Sequence, residues 1–256
     1  MLLKFLEILN KYISLLLGYG LGGYRFSIYF EIKNILKFFK NEKNLLLIDV
    51  GGNVGEYSQK FLKQKKNSHI YIIEPSTYNY AILKKKFANL NNVNLFKYAI
   101  SNVIKKSKLY YNKRGSALSS LTNRLFPDHK DIKFTGSETV KVITLSFFLK
   151  KFVKMRRKID ILKIDIEGEE LNCLNGLRKD IKRIKLIQFE FGGCNIDTRE
   201  FFLDFYTFFK KHNFTLYRST MFGLKRIENY SISDENFLTT NFIAVNTLFS
   251  QKLNIN

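Results

Sequence analysis

The run Asp49-Val50-Gly51-Gly52-Asn53-Val54-Gly55-Glu56-Tyr57-Ser58 joins a short apolar stretch to an amphipathic one. Glycines at such a strand-to-helix turn let the backbone bend sharply and approach a ligand with no Cβ in the way, and the helix start offers free N–H groups. Asp49 closes the first apolar stretch, and the next one closes on Glu74, 25 residues further on. A carboxylate there can accept hydrogen bonds from ribose hydroxyls, so the spacing predicts a nucleoside-containing ligand. The dinucleotide fingerprint G-x-G-x-x-G needs its second glycine beside the pyrophosphate. Counting from Gly51, that position holds Asn53. A sulfonium cofactor has no pyrophosphate and carries a free ammonium, which a neighbouring acid such as Asp49 suits electrostatically. The loop therefore predicts S-adenosylmethionine over a nicotinamide dinucleotide.

A second acidic run, Lys163-Ile164-Asp165-Ile166-Glu167-Gly168-Glu169-Glu170, follows another apolar strand pattern. Ligands of open parallel sheets sit beyond the carboxyl ends of the strands, so Asp165 and Glu167 are candidate catalytic residues. In an extended segment the two side chains point the same way. Glu169 and Glu170 read as acidic decoration of a helix start. An acceptor that must lose a proton needs a base or a metal to take it. His69 begins a strand and His212 ends a helix, which leaves His129, in a polar stretch, as the histidine candidate. Asp165 with Glu190, at the end of the next strand, can serve as base and orienter, or the two can hold magnesium through hard oxygen ligands.

The elements that must position these groups alternate. Short apolar strands at 45–48, 69–73, 93–96, 159–164 and 184–189 are separated by amphipathic stretches at 54–65, 78–89, 147–154, 169–177 and 198–212. Further extended pieces fall at 108–111 and 140–143, and a closing pair at 215–218 and 242–245 reads as antiparallel. Strands buried on both faces and separated by helices predict an α/β fold with a mostly parallel sheet and right-handed crossovers. The first 43 residues are different: apolar and polar positions recur at helical spacing from Leu2 to Leu17, and a second helical pattern spans about 25–40. Residues 1–43 are thus expected as amphipathic helices flanking a domain over 44–256. The polar segment 102–139 reads as a lid or acceptor insertion, in which Ser116, Ser119 and Ser120 can hydrogen-bond an acceptor.

Composition narrows the partners. With 45% hydrophobic residues and 2 prolines the 256-residue chain packs a real core, and its 2 separated cysteines make neither a disulfide framework nor a thiolate zinc site. A cytoplasmic setting is expected. The formal charge of +21 attracts polyanions or anionic membrane. Lysine is spread along the chain, however, with no compact basic stripe interleaved with aromatics, so nucleic acid is not the expected partner. Charge patterning suggests instead the inner membrane face, reached through the N-terminal helix, as a peripheral site.

These motifs together resemble the FkbM-type S-adenosylmethionine-dependent methyltransferases. The matching pieces are Ile48 to Gly55, Ile73-Glu74-Pro75, Ala99-Ile100-Ser101, Ser119-Ser120-Leu121, Val142 to Leu145 and Ile164 to Glu169, in the family's order. The family usually has alanine where this chain has Gly52, and the segment from Glu190 to Asn195 matches no substrate signature. The resemblance implies a class I, seven-stranded, Rossmann-like sheet with an antiparallel last strand, and methyl transfer to a hydroxyl of a sugar or glycosylated molecule. It places Asp49, Gly51, Asn53 and Gly55 along the methionine and adenosine end, Glu74 at the ribose, and Ala99 to Ser101 beside the adenine. Gly52, Tyr57, Ser58 and Pro75 complete the cofactor set. A polyanionic acceptor such as RNA, or a nicotinamide oxidoreductase, is the alternative.

Overall fold

The computed structural model describes residues 1–124, 132–153 and 157–250. His129 lies outside them. From the N-terminus the elements are α1 (Leu2–Leu16), α2 (Ser27–Leu36), β1 (Leu46–Val50), α3 (Glu56–Gln64), β2 (His69–Ile73), α4 (Thr77–Lys86), β3 (Val93–Phe96), β4 (Ala99–Ile100), β5 (Lys105–Tyr111) and β6 (Gly136–Ile143). There follow α5 (Leu145–Phe152), β7 (Ile159–Ile164), α6 (Glu170–Asn175), β8 (Ile184–Phe191), α7 (Cys194–Thr198), α8 (Phe202–Lys211), β9 (Phe214–Thr220), β10 (Gly223–Ile227), β11 (Thr240–Asn246) and α9 (Thr247–Ser250).

The main sheet has the order β10-β9-β11-β8-β7-β1-β2-β3. Its centre, β3-β2-β1-β7-β8, is parallel, and β11 runs antiparallel to both β8 and β9. The strand order reverses at β1, the switch point where open α/β sheets bind ligands. The sheet has eight strands where the resemblance implies seven. The extra edge strand, β10, pairs among the described residues with β9 alone and keeps Lys225 and Arg226 in water. An edge strand of that kind carries no apolar run to announce it.

β1 is buried throughout and splits its side chains by the period of two. Leu46, Ile48 and Val50 join the core that includes Phe148 of α5 and Phe205 of α8. Leu45 and Leu47 join the other core, with Ile35 of α2 and Phe61 of α3. Helix starts follow the local chemistry: the Ser76 and Thr144 hydroxyls accept from the N–H groups of Asn79 and Phe147. The helix expected over 198–212 is α8, which starts only at Phe202; the short α7 precedes it, and Arg199 between them takes a left-handed conformation (φ 57°). Segment 102–139 contributes β5 and the start of β6, which with β4 form a separate sheet of order β4-β6-β5.

Candidate active site

The glycine loop packs backbone against backbone on the acidic turn after β7. Gly51 has φ 81°, and a Cβ there would lie 1.8 Å from the Asp165 carbonyl oxygen. The Asp165 N–H donates to the Val50 carbonyl at 3.1 Å, and the Gly51 N–H donates to Ile73 at 2.9 Å. Glycine at 51 is thus what lets the two ligand-facing turns close on each other. Gly52 answers to packing: a Cβ there would meet the Ile72 Cγ2 methyl at 2.1 Å. Ile72 fills the space that an alanine methyl would need.

Between these turns and the small sheet lies a cleft of about 530 Å³, mouth included. Of the expected cofactor residues, Gly51, Asn53, Glu74, Pro75 and Ala99 line it, together with Asp165, Glu167 and Ser119. The Glu74 carboxylate accepts from the N–H groups of Asn53 at 2.8 Å and Ser76 at 2.9 Å. Burial, only partly offset by those two bonds, raises it to about 7. Two wall groups are left unsatisfied among the described residues: the buried Asn53 and Asn79 side-chain oxygens have no hydrogen-bond partner. Unpaired buried acceptors are costly, and these two suit the ammonium, amine or ribose hydroxyl donors of an aminoacyl nucleoside. The walls therefore fit S-adenosylmethionine. Asn79 and Tyr98, also on the walls, carry no local sequence signal and were not expected there.

Six of the expected cofactor residues, Asp49, Gly52, Gly55, Tyr57, Ser58 and Ser101, stand elsewhere. Asp49 shares the face of Leu45 and Leu47, so it points under the loop, fully buried, and accepts from the Ser58 hydroxyl at 2.6 Å. Neither Asp49 nor Ser58 lines the cleft; they brace the loop against α3. The Tyr57 hydroxyl donates to Gln188 at 2.7 Å, and the Ser101 hydroxyl donates to Glu169 at 2.7 Å. Tyr57 faces a neighbouring hollow shared with Gly52, Lys163 and Glu190, and Gly55 forms the left-handed start of α3. Of the three expected acceptor serines, Ser116 and Ser119 line the cleft, while the buried Ser120 hydroxyl is spent on the Glu167 carbonyl at 2.7 Å.

The catalytic candidates do converge. Asp165, Glu167 and Glu190 each offer a carboxylate oxygen within 4.8 Å of the others. The route differs from the expected extended segment: β7 ends at Ile164, and Glu167 turns back through a left-handed conformation (φ 56°). Glu170 holds that turn, its buried carboxylate accepting from the N–H groups of Ile166 at 2.7 Å and Gly168 at 2.9 Å. It does more than decorate a helix start. Arg124 pairs with both Glu167 and Asp197, and Lys163 Nζ lies 3.0 Å from Asp165. Burial and then the Asp165 and Glu167 charges push Glu190 well above the usual carboxylate range. Burial also raises Glu167 to about 7 against the pull of Arg124.

Asp165, Glu167, Gly51, Asn53 and Ala117 line a second cavity too, whose other walls include Glu190, Arg124, Asp197 and Gly22–Gly23. The two spaces meet at Asp165 and Glu167. The glycine turn of the N-terminal segment, which lies before the recognisable motifs, thus builds one wall; the Gly22 N–H donates to Thr239 at 3.0 Å.

Residues 49–216 match the methyltransferase FkbM domain. The chain belongs to the FkbM methyltransferase family. With membership established, the donor is S-adenosylmethionine, and the nicotinamide alternative falls. No curated protein matches this FkbM-family chain. Solved structures of similar shape include the plantazolicin methyltransferase BpumL in complex with SAH, at 10% identity and TM-score 0.47, covering 86% of this chain and 84% of that one. An rRNA methylase from Streptococcus thermophilus aligns at 12% identity and TM-score 0.44, covering 86% of this chain and 94% of that one. Precorrin-6y C5,15-methyltransferase from Geobacter metallireducens aligns at 10% and 0.43, covering 84% and 87%.

Proposed function

We propose that this FkbM-family enzyme methylates a hydroxyl of a sugar, in a glycan or glycosylated metabolite. The observation that carries the reading is the shared wall: Asp165 and Glu167 line both the donor cleft and the cavity holding Glu190. S-adenosylmethionine supplies an electrophilic methyl on a sulfonium. Asn53, Asn79 and Glu74 hold the donor by its polar groups, while Asp165 and Glu190 receive the acceptor hydroxyl. A carboxylate raised by burial is a stronger base once ionised. Glu190 would take the hydroxyl proton, leaving the acceptor oxygen to receive the methyl group that the bound donor would supply.

The acceptor cavity has acidic walls, with Asp165, Glu167, Glu190 and Asp197 against Arg124. A sugar hydroxyl can donate to the carboxylate oxygens there, whereas a nucleic-acid phosphate, itself only an acceptor, meets an Arg124 already paired with Glu167 and Asp197. That favours a neutral polyol over RNA despite the net charge of the chain. The test has two stages. Calorimetric titration with S-adenosylhomocysteine, lost in Glu74→Ala, establishes donor binding. Methyl transfer from labelled donor is then assayed on oligosaccharides, sugar nucleotides and RNA, with the product methyl located by mass spectrometry. A methyl ether on sugar supports the reading; label on RNA bases or amines alone overturns it.

A further inference from the structure

Helix α1 has no buried residue. Lys4, Glu7, Asn10, Lys11 and Ser14 form one polar face at i, i+3, i+4 spacing, and the apolar remainder of the circumference is largely in water: Leu2 is 70% exposed, Phe5 59% and Ile8 57%. So broad an apolar arc is far from the narrow seam of a coiled coil. The helix nevertheless has a fixed base. Arg218 Nε donates to the Leu17 carbonyl at 2.9 Å, and its guanidinium lies 3.8 Å over the Tyr19 ring.

The β9–β10 turn next to that base also holds α2. Asn34 Nδ2 donates to the carbonyls of Thr220 at 2.9 Å and Gly223 at 3.1 Å. At the tip of the turn Phe222 is 79% exposed. Lys37 reaches Gly223 and opens onto a separate cleft between α2 and α3, about 1060 Å³ with its mouth. Ile32 and Leu36 contribute its apolar lining, Lys33, Lys37, Lys40, Lys60 and Lys63 its charge, and no acidic residue lines it.

We propose that this face docks on a bilayer containing anionic phospholipid, with α1 lying in the interface and the lysine cleft over the phosphate headgroups. Apolar burial and attraction to anionic lipid are the two signals that stable peripheral binding combines. A second copy of the chain fits less well, because pairing along this face would bring two five-lysine rims together in a protein of net charge +21. The inference goes beyond the methyl-transfer reading and stands independently of it, since the face shares no residue with the donor cleft.

The experiment is flotation of the full chain, without donor, on vesicles of phosphatidylcholine alone or mixed with phosphatidylglycerol. Flotation is expected on the mixed vesicles and weakened by salt. Removing two cleft charges in Lys33→Gln/Lys37→Gln lowers partitioning about 25-fold, roughly fivefold per lysine. Leu6→Glu/Leu9→Glu abolishes flotation, with circular dichroism and S-adenosylhomocysteine binding showing that both variants fold. The proposal is overturned if the wild type floats on neither vesicle, if it floats equally on neutral ones, or if the α1 substitutions only split a dimer seen by light scattering.

Discussion

Lys163 and Asp49 form an ion pair beneath the glycine loop, with Nζ 3.5 Å from Oδ1 and both side chains buried. Burial alone would lower the ammonium, but the Asp165 and then Asp49 charges override it and hold Lys163 above the ordinary lysine range. Asp49 Oδ1 has no hydrogen-bond partner of its own. Lys163→Met therefore strands a buried carboxylate and should cost about 3–5 kcal/mol in urea unfolding. Lys163→Met/Asp49→Asn should recover part of that, because the asparagine oxygen still accepts from Ser58. Equal midpoints for the single and double variants would mean that the pair is not coupled.

Buried carboxylates set the pH dependence of stability. Glu74 and Glu167 are raised to about 7, and Glu170 to about 8, in each case first by burial. Their folded values exceed the ordinary value of 4.5. Between the two values the folded state binds more protons than the unfolded one, so stability falls as pH rises. The donor-free enzyme should therefore melt at a lower temperature at pH 8 than at pH 5. Glu170→Gln should flatten the upper part of that slope, removing on the order of a few kcal/mol of pH-dependent loss. A melting temperature that climbs steadily from pH 5 to pH 8 would contradict the assignment.

Which parts of this site were legible in the sequence follows from how local each signal is. Gly51, Asn53 and Glu74 announce themselves because a turn and two strand ends are short-range events, and all three line the donor cleft. Asp49 was legible as a residue but not as a role. Its direction is fixed by the Leu45 and Leu47 alternation, which places it with Ser58 rather than on the wall. The polar row beneath the loop was invisible for the same reason: Gln188 donates to Glu31 and Asn241 across separations of 157 and 53 residues. No periodicity joins such partners. β10 and the break at Arg199 escaped because each depends on one or two residues with no apolar pattern.

Gly52 offers a packing test. Its missing Cβ leaves room for the Ile72 Cγ2 methyl, so Gly52→Ala should overpack the loop and cost about 1–3 kcal/mol. In an Ile72→Ala background the same added methyl should cost much less, a coupling that a double-mutant cycle in chemical denaturation measures directly. Additive costs would show that the loop, not Ile72, absorbs the methyl.

Chemistry is tested at Glu190. Among the described residues it lacks an ion-pair partner, whereas Asp165 has Lys163 and Glu167 has Arg124. Two of the three clustered carboxylates are thus already balanced by cations, which weakens their joint pull on a divalent metal and leaves Glu190 as the group free to exchange a proton. Glu190→Gln should lower kcat by about 10²- to 10⁴-fold while S-adenosylhomocysteine binds as before. Burial holds the Glu190 proton well above the carboxylate range, so the wild-type rate should rise with pH as that proton is lost. The rising limb should disappear in Glu190→Gln. A chelator is expected to leave the wild-type rate unchanged. A rate abolished by chelation and restored by magnesium would instead assign the three oxygens to a metal that holds the acceptor hydroxyl, with Glu190 as its ligand rather than the base.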